Sequence, residues 1–322
     1  MQVVSDATRV VTRQMEVLWD FNYMPSNKEL DVLYRVAKGL QWDADTVIDW
    51  QLPIGKNSPV FDVCSAYNGT NFINRLSAEE KKEMEVRVAS WRLSQFLHGE
   101  QGALMICGQL INYLPNYQAK LFSSIQAIDE ARHMEVFEKY IRGLHKLYPV
   151  DPVLGKILSY IMESPYWEIK LLGMQIIVEG LALASFQAMQ KQTADPALST
   201  LLANVLKDES RHVNFGVLLL KSALTSMSAA KCELLEDFAW TTCDVLYGGG
   251  LGGFRSVSTV WKEMGWNSEE VSRDIAQHGA GTKDFNTQLF RKTLIPKLAT
   301  VGLISERVRP LYERSGLLDR TD

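Results

Sequence analysis

The sequence predicts an all-α protein built on a four-helix bundle, and three observations carry that prediction. The first is a repeated spacing: Glu100 stands 30 residues before Glu130 and Glu179 stands 30 before Glu209, and each second glutamate is followed three residues later by a histidine, His133 or His212. The second is that both of these units read Asp-Glu-x-Arg-His, and on a helix a Glu and a His three apart project from one face about one turn apart. The third is helix punctuation, with capping signals and prolines dividing the middle of the chain into long segments.

Residues 1–76 read as an N-terminal extension rich in aromatics, including Trp19, Trp42 and Trp50, with turn signals at Tyr23-Met24-Pro25-Ser26-Asn27 and Gln51-Leu52-Pro53-Ile54-Gly55. A short helix from Asn27 to Gly39 is expected because Leu30, Leu33, Tyr34 and Ala37 share a face. This extension offers no ligand set. Its aromatics are expected to pack across the bundle, with Leu40-Gln41-Trp42-Asp43-Ala44 as a candidate entrance or partner surface.

The bundle is expected over 77–225. Ser77-Ala78-Glu79-Glu80 has the form of a capping box, with Leu76 placed as its staple, and the helix it opens should run to about Tyr113, before Leu114-Pro115. A second helix, about 116–147, carries Glu130 and His133 and stops at Tyr148-Pro149. A short crossing helix from Val153 to about Glu163 leads to Ser164-Pro165, read as the opening of the third bundle helix, which carries Glu179. Asp195-Pro196 opens the fourth, with Glu209 and His212, running to about Thr225. Residues 226–322 form a C-terminal extension with helical stretches at Ala229 to Tyr247 and about Leu289 to Arg314. The glycine run 248–253 between them lacks the strand and the Lys-Ser/Thr of a phosphate loop and reads as a break.

A lone Glu-x-x-His on a helix is usually a solvated or salt-bridging face. Here the surroundings argue otherwise. Glu179 sits in Ile176-Ile177-Val178-Glu179-Gly180-Leu181-Ala182-Leu183, and Glu100 precedes Gln101-Gly102-Ala103-Leu104-Met105-Ile106. An ionised carboxylate in such company costs several kcal/mol unless a cation lies beside it. Four helices each offering an inward Glu, two of them adding a His, form the ligand set of two-metal carboxylate bundles. Only five histidines exist in the chain, and two hold matching places. Of the others, His98 lies on a different face from Glu100, and His145 and His278 fit no ligand spacing.

Composition narrows the alternatives. With 322 residues, 46% hydrophobic and a net charge of −4, the chain can bury a large core and has no electrostatic footprint for nucleic acid or an anionic membrane. The N-terminus lacks a signal-peptide apolar region and no apolar run suggests a span, so a cytoplasmic protein is expected. Cys64, Cys107, Cys232 and Cys243 show no C-x-x-C pairing and read as free buried thiols.

The two Asp-Glu-x-Arg-His units with two further glutamates in four helices resemble the ferritin-like superfamily, and within it the oxygen-activating group that includes bacterial multicomponent monooxygenase hydroxylases and the small subunit of ribonucleotide reductase. The resemblance covers about 77–225. It implies that Glu100, Glu130 and His133 hold one metal and Glu179, Glu209 and His212 the other, with Glu130 and Glu209 bridging. It also implies that Asp129 accepts from the far nitrogen of His212, and Asp208 from that of His133, as metal-bound imidazoles generally require. Arg132 and Arg211 pair either with those aspartates or with surface carboxylates. The sequence departs from the group at Phe137, where radical subunits carry tyrosine, at Leu183, where hydroxylases carry threonine, and at Val205, where arylamine N-oxygenases carry histidine.

Ligation by Glu and His without thiolates suits iron or manganese. The expectation is a di-iron enzyme, or one with a manganese-iron pair, that uses O2 as co-substrate in a monooxygenase reaction, hydroxylation or N-oxygenation, on a small organic molecule. No flavin, nicotinamide or iron-sulfur motif is present, so electrons must come from a separate reductase or ferredoxin, and a homodimer is expected. The alternatives are an iron-handling ferroxidase and a ligand-binding oxidase or radical-subunit homologue. Neighbours one turn from the ligands, Phe96, Ala103, Leu104, Phe137, Leu183 and Phe186, are the candidate pocket lining, with ordinary core the favoured reading for most of them. Gly180 is either a point for a bulge beside Glu179 or a plain packing glycine.

Overall fold

The computed structural model describes residues 17–18, 21, 23, 27–55, 60–61, 63–248, 257–278 and 287–320. Among these there are helices and no strands. The first helix, α1 (Lys28–Gly39), is capped by Asn27, whose side chain accepts from the Leu30 amide at 3.0 Å. It buries Leu30, Leu33 and Ala37, and it lies across the second and fourth bundle helices. A link through Gln41 and Trp42 leads to α2 (Ala44–Val47), and α3 (Asn71–Arg75) precedes the bundle.

The first bundle helix, α4 (Ala78–Tyr113), opens with both bonds of the capping box, Ser77 to the Glu80 amide and the Ser77 amide to Glu80 Oε2. At 1.5 Å per residue it is about 54 Å long, and Glu100 lies in its second half. Pro115 ends the run, Asn116 caps α5 (Tyr117–Leu144), and the short turn makes the two an antiparallel pair. Next comes α6 (Pro152–Glu163), capped by Asp151 and crossing to the other half.

The third bundle helix runs continuously over Trp167–Gln192 as α7 (Trp167–Leu171), a π segment (Leu172–Val178) and α8 (Glu179–Gln192). Two expectations are corrected here. The helix begins at Trp167 behind Tyr166, so Pro165 lies in the entry turn and not at the first helical position. The widened turn ends just before Glu179, so it precedes the carboxylate where Gly180 follows it. Among the described residues this is also the one helix long and apolar enough to cross a membrane, contrary to the expectation of no such run. It is mostly buried in the bundle, where a core helix needs the same composition as a span.

The fourth bundle helix, α9 (Pro196–Leu224), is capped by Asp195 and packs against α8. Beyond it lie α10 (Ala229–Gly248), α11 (Ser258–Glu263) and α12 (Ser268–His278). The expected continuous helix from Leu289 to Arg314 is broken: Ile295–Val301 ends at Gly302, whose φ of 98° is left-handed, and Arg309–Arg314 starts anew. Most of the glycine run and part of the Tyr23 turn, like Trp19, fall outside the described residues. None of the four cysteines forms a disulfide among the described residues; Cys107 and Cys243 are buried and the other two half-buried.

The core divides in two about the repeated glutamates. Leu93, Leu97, Val136, Phe137, Phe186 and Val205 belong to one apolar cluster, and Ala103, Ile106, Phe122, Ile176 and Phe215 to the other. Along every bundle helix the change of cluster falls near the carboxylate.

Candidate metal centre

The four bundle helices bring Glu100, Glu130, His133, Glu179, Glu209 and His212 together, each at most 5% exposed. Their donor atoms form two groups, each with all atoms within 4.8 Å: Glu100, Glu130, His133 and Glu209, and Glu130, Glu179 and His212. Glu130 belongs to both, with Oε2 3.3 Å from His133 Nδ1 and Oε1 3.1 Å from His212 Nδ1. Glu209 turns Oε1 to His133 Nδ1 at 3.2 Å and Oε2 to His212 Nδ1 at 3.9 Å. It therefore faces both imidazoles and leans toward His133; the resemblance implied that it belongs with His212 and bridges to the other metal.

Several of these atoms have no hydrogen-bond partner: Glu130 Oε2, Glu179 Oε2, both oxygens of Glu209, and His212 Nδ1. Buried polar atoms are normally paired. Unpaired oxygens and a nitrogen converging from three of the four helices are what two cations between them would satisfy, and the donor set is hard oxygen with imidazole, which fits iron or manganese.

The far side of each imidazole explains why the Nδ1 atoms face inward. His133 Nε2 lies 3.2 Å from Asp208 Oδ2, and His212 Nε2 lies 3.2 Å from Asp129 Oδ2. A carboxylate only accepts, so each Nε2 carries the proton and leaves Nδ1 as the electron-pair donor. Arg132 reaches both aspartates, at 2.5 Å from Asp129 and 3.0 Å from Asp208, and Arg211 contacts Asp208 and lies 3.6 Å from Asp129. The two arginines thus pair with buried aspartates and not with surface carboxylates. Two cations alternating with two anions make this outer layer neutral, which offsets much of the cost of burying it.

Sequence reasoning missed the roles of three residues here, having read Gln41 and Trp42 only as part of a candidate entrance or partner surface. Gln41 donates to Asp129 at 2.8 Å and accepts from Arg132 at 2.8 Å, and Trp42 Nε1 donates to Asp208 at 2.7 Å with its ring 4.6 Å beneath the Arg132 guanidinium. Gln126 Nε2 donates to Glu130 Oε1 at 3.0 Å and to Glu179 Oε1 at 2.9 Å. Its place one helical turn before Glu130 was the available signal. Nothing local to Gln41 and Trp42 marks them as partners of the aspartates.

The titrations follow from burial and crowding. Burial pushes Glu100, Glu179 and Glu209 up, reinforced by Glu209 at Glu100 and by Glu130 at Glu179. Burial also opposes charge on Glu130, yet His212 and His133 hold it well below the usual range. Burial alone would lower both imidazoles, but the surrounding carboxylates keep them well above an ordinary histidine. Without metal, protons carry the balancing charge; divalent ions would displace them.

Of the candidate lining residues, Phe96, Phe137 and Phe186 meet, with ring centroids 4.6 Å apart for Phe96 and Phe186 and 5.5 Å for Phe137 and Phe186. Ala103 and Leu183 are buried and Leu104 half-buried. A cavity of 610 Å³ opens between α3 and α12, lined by Phe72, Arg75, Trp266 and Asp274 among others and by none of the six converging residues. His98 Nε2 contacts the Tyr148 carbonyl at 2.9 Å, His145 caps α5, and His278 meets Asp274 at 2.8 Å, all away from the centre.

No protein-family model matches this sequence, and no curated protein matches it. Solved structures do. An R2-like ligand-binding oxidase from Sulfolobus acidocaldarius aligns over 83% of this chain and 92% of its own at 17% identity, with a TM-score of 0.51. The dimanganese(II)-NrdF of Streptococcus sanguinis aligns over 88% and 91% at 15% identity, with a TM-score of 0.52. A mutant R2-like ligand-binding oxidase with an aerobically reconstituted Mn/Fe cofactor aligns over 80% and 94% at 15%, with a TM-score of 0.53. The fold is ferritin-like. Within this ferritin-like bundle each helix pair, α4 with α5 and α7–α8 with α9, supplies two glutamates and one histidine.

Proposed function

We propose that this chain holds two iron ions on Glu100, Glu130, His133, Glu179, Glu209 and His212, and uses O2 to oxidise a small organic molecule. The reaction is a monooxygenation, with electrons drawn from a separate reductase or ferredoxin. One observation carries the reading: seven donor places in two groups, sharing Glu130, converge in the buried centre with unpaired oxygens facing one another. Such a pair, when bound, supplies the redox chemistry that activates O2.

The chain's own residues do the rest. Asp129 and Asp208 fix the tautomer and tilt of the imidazoles. Arg132 and Arg211 pair with those aspartates and hold them in place. Phe96, Phe137 and Phe186 exclude water from one side of the carboxylates, and Ala103, Leu104 and Leu183 complete an apolar lining suited to an apolar substrate. The same reading makes the protein a cytoplasmic homodimer.

A second reading, a Mn/Fe oxidase that binds an organic ligand, is favoured by the inequality of the two donor groups, since unequal positions suit unlike metals. Anaerobic titration with Fe(II), alone and with Mn(II), followed by metal counting and exposure to O2 under stopped-flow absorbance and Mössbauer spectroscopy, separates the readings. About two irons per chain with a fast O2-dependent spectral change supports the first. Stable uptake of one iron and one manganese supports the second, and no stoichiometric metal at all ends both.

A further inference from the structure

We infer that Gln126 is a positioning residue for one of the two metal positions: its amide ties Glu130 to Glu179 and holds the His212 donor group ready for an ion. This rests on the two-metal reading above. Gln126 is fully buried on α5, and both hydrogens of its amide are directed at carboxylate oxygens from different helices, Glu130 Oε1 and Glu179 Oε1. Holding Glu179 by Oε1 leaves Oε2, which has no hydrogen-bond partner, turned toward His212 Nδ1 at 3.9 Å.

The His133 group has no such tether. The place that corresponds to Gln126 in the second repeat, four residues before Glu209, is Val205, a buried side chain with nothing to donate. That group also has less need of one, since four side chains converge there against three around His212. Two carboxylates brought together before an ion arrives repel each other, and an amide donor between them both offsets that repulsion and fixes which oxygen each presents. Outer partners of this kind are worth about 10–100-fold in metal affinity. Gln126 therefore acts on the His212 position and leaves the His133 position nearly untouched, although it sits on the helix that carries His133.

The test is Mn(II) titration of the metal-free, full-length protein, with bound and free ion counted by electron paramagnetic resonance and the heats followed by calorimetry. Wild type should take up two ions in unequal steps. In Gln126→Leu, which keeps the side chain's size and removes its donors, the weaker step should lose about 10–100-fold in affinity while the tighter step moves little. Gln126→Asn, too short to span both carboxylates, should do the same and serves if the leucine variant does not fold. Equal losses at both steps, or two unchanged steps, overturn the inference while the two-metal reading stands. Failure of wild type to bind either Mn(II) or Fe(II) removes that reading and the inference with it.

Discussion

The two sides of the carboxylate layer occupy matching places in the duplicated pattern, yet they are built from different chemistry. Phe96, Phe137, Phe186 and Val205 stand on one side, and the corresponding places on the other are Gln175, Gly216, Cys107 and Gln126. The first side is stacked aromatic core. The second carries two buried amides, a thiol that burial and then Glu130 hold protonated, and a glycine. Gln175 lies in the π segment with neither amide atom hydrogen-bonded, and a Cβ on Gly216 would stand 2.8 Å from Gln175 Cβ. The ligands kept their symmetry while the residues a turn away did not. A duplicated half-site can thus keep its donors and still present two unlike faces to whatever enters.

Five substitutions break or sharpen this contrast. Glu130→Ala or His212→Ala acts on the layer itself: with the helical circular dichroism signal kept, metal content should fall from about two ions to far less than one per chain when the shared Glu130 is lost and to about one when His212 is lost, because binding needs converging deprotonated donors. Stoichiometric iron in both variants would count against the ligand assignment. On the aromatic side, Phe137→Ala opens a cavity beside Phe186 and should cost about 3–5 kcal/mol in chemical denaturation.

On the polar side, Gly216→Ala drives a methyl into the π segment and should cost about 1–3 kcal/mol. A neutral result would mean that the third helix yields easily there. Gln175→Leu should have the smallest effect and the opposite sign, raising stability by about 1 kcal/mol, because an unpaired buried amide is costly and an apolar group of similar shape is not. If thermal melts show the leucine variant to be weaker than wild type, the amide has a partner and the polar side is a finished structure.

Much of the bundle was legible in the chain because helix boundaries are local. Ser77 with Glu80, Asn116, Asp151 and Asp195 each satisfy amides within three residues, so short-range chemistry marks where the helices begin. Pro165 misled because proline is compatible both with a first helical turn and with the turn before it. The break at Gly302 lies inside an apolar stretch whose periodicity does not announce it. At the centre, the six donors were legible from their spacing, but Gln41 and Trp42 lie outside any helix and far along the chain from the aspartates they hold.

The amino-acid order by itself determined which side chains share a helical face, since a Glu and a His three apart must project together whatever surrounds them. Only the packing of four helices decided how the oxygens divide, with Glu130 serving both groups, Glu209 leaning toward His133 and Gln126 joining Glu130 to Glu179. Distances along one helix are set by its pitch, whereas distances between helices depend on every residue that keeps them apart.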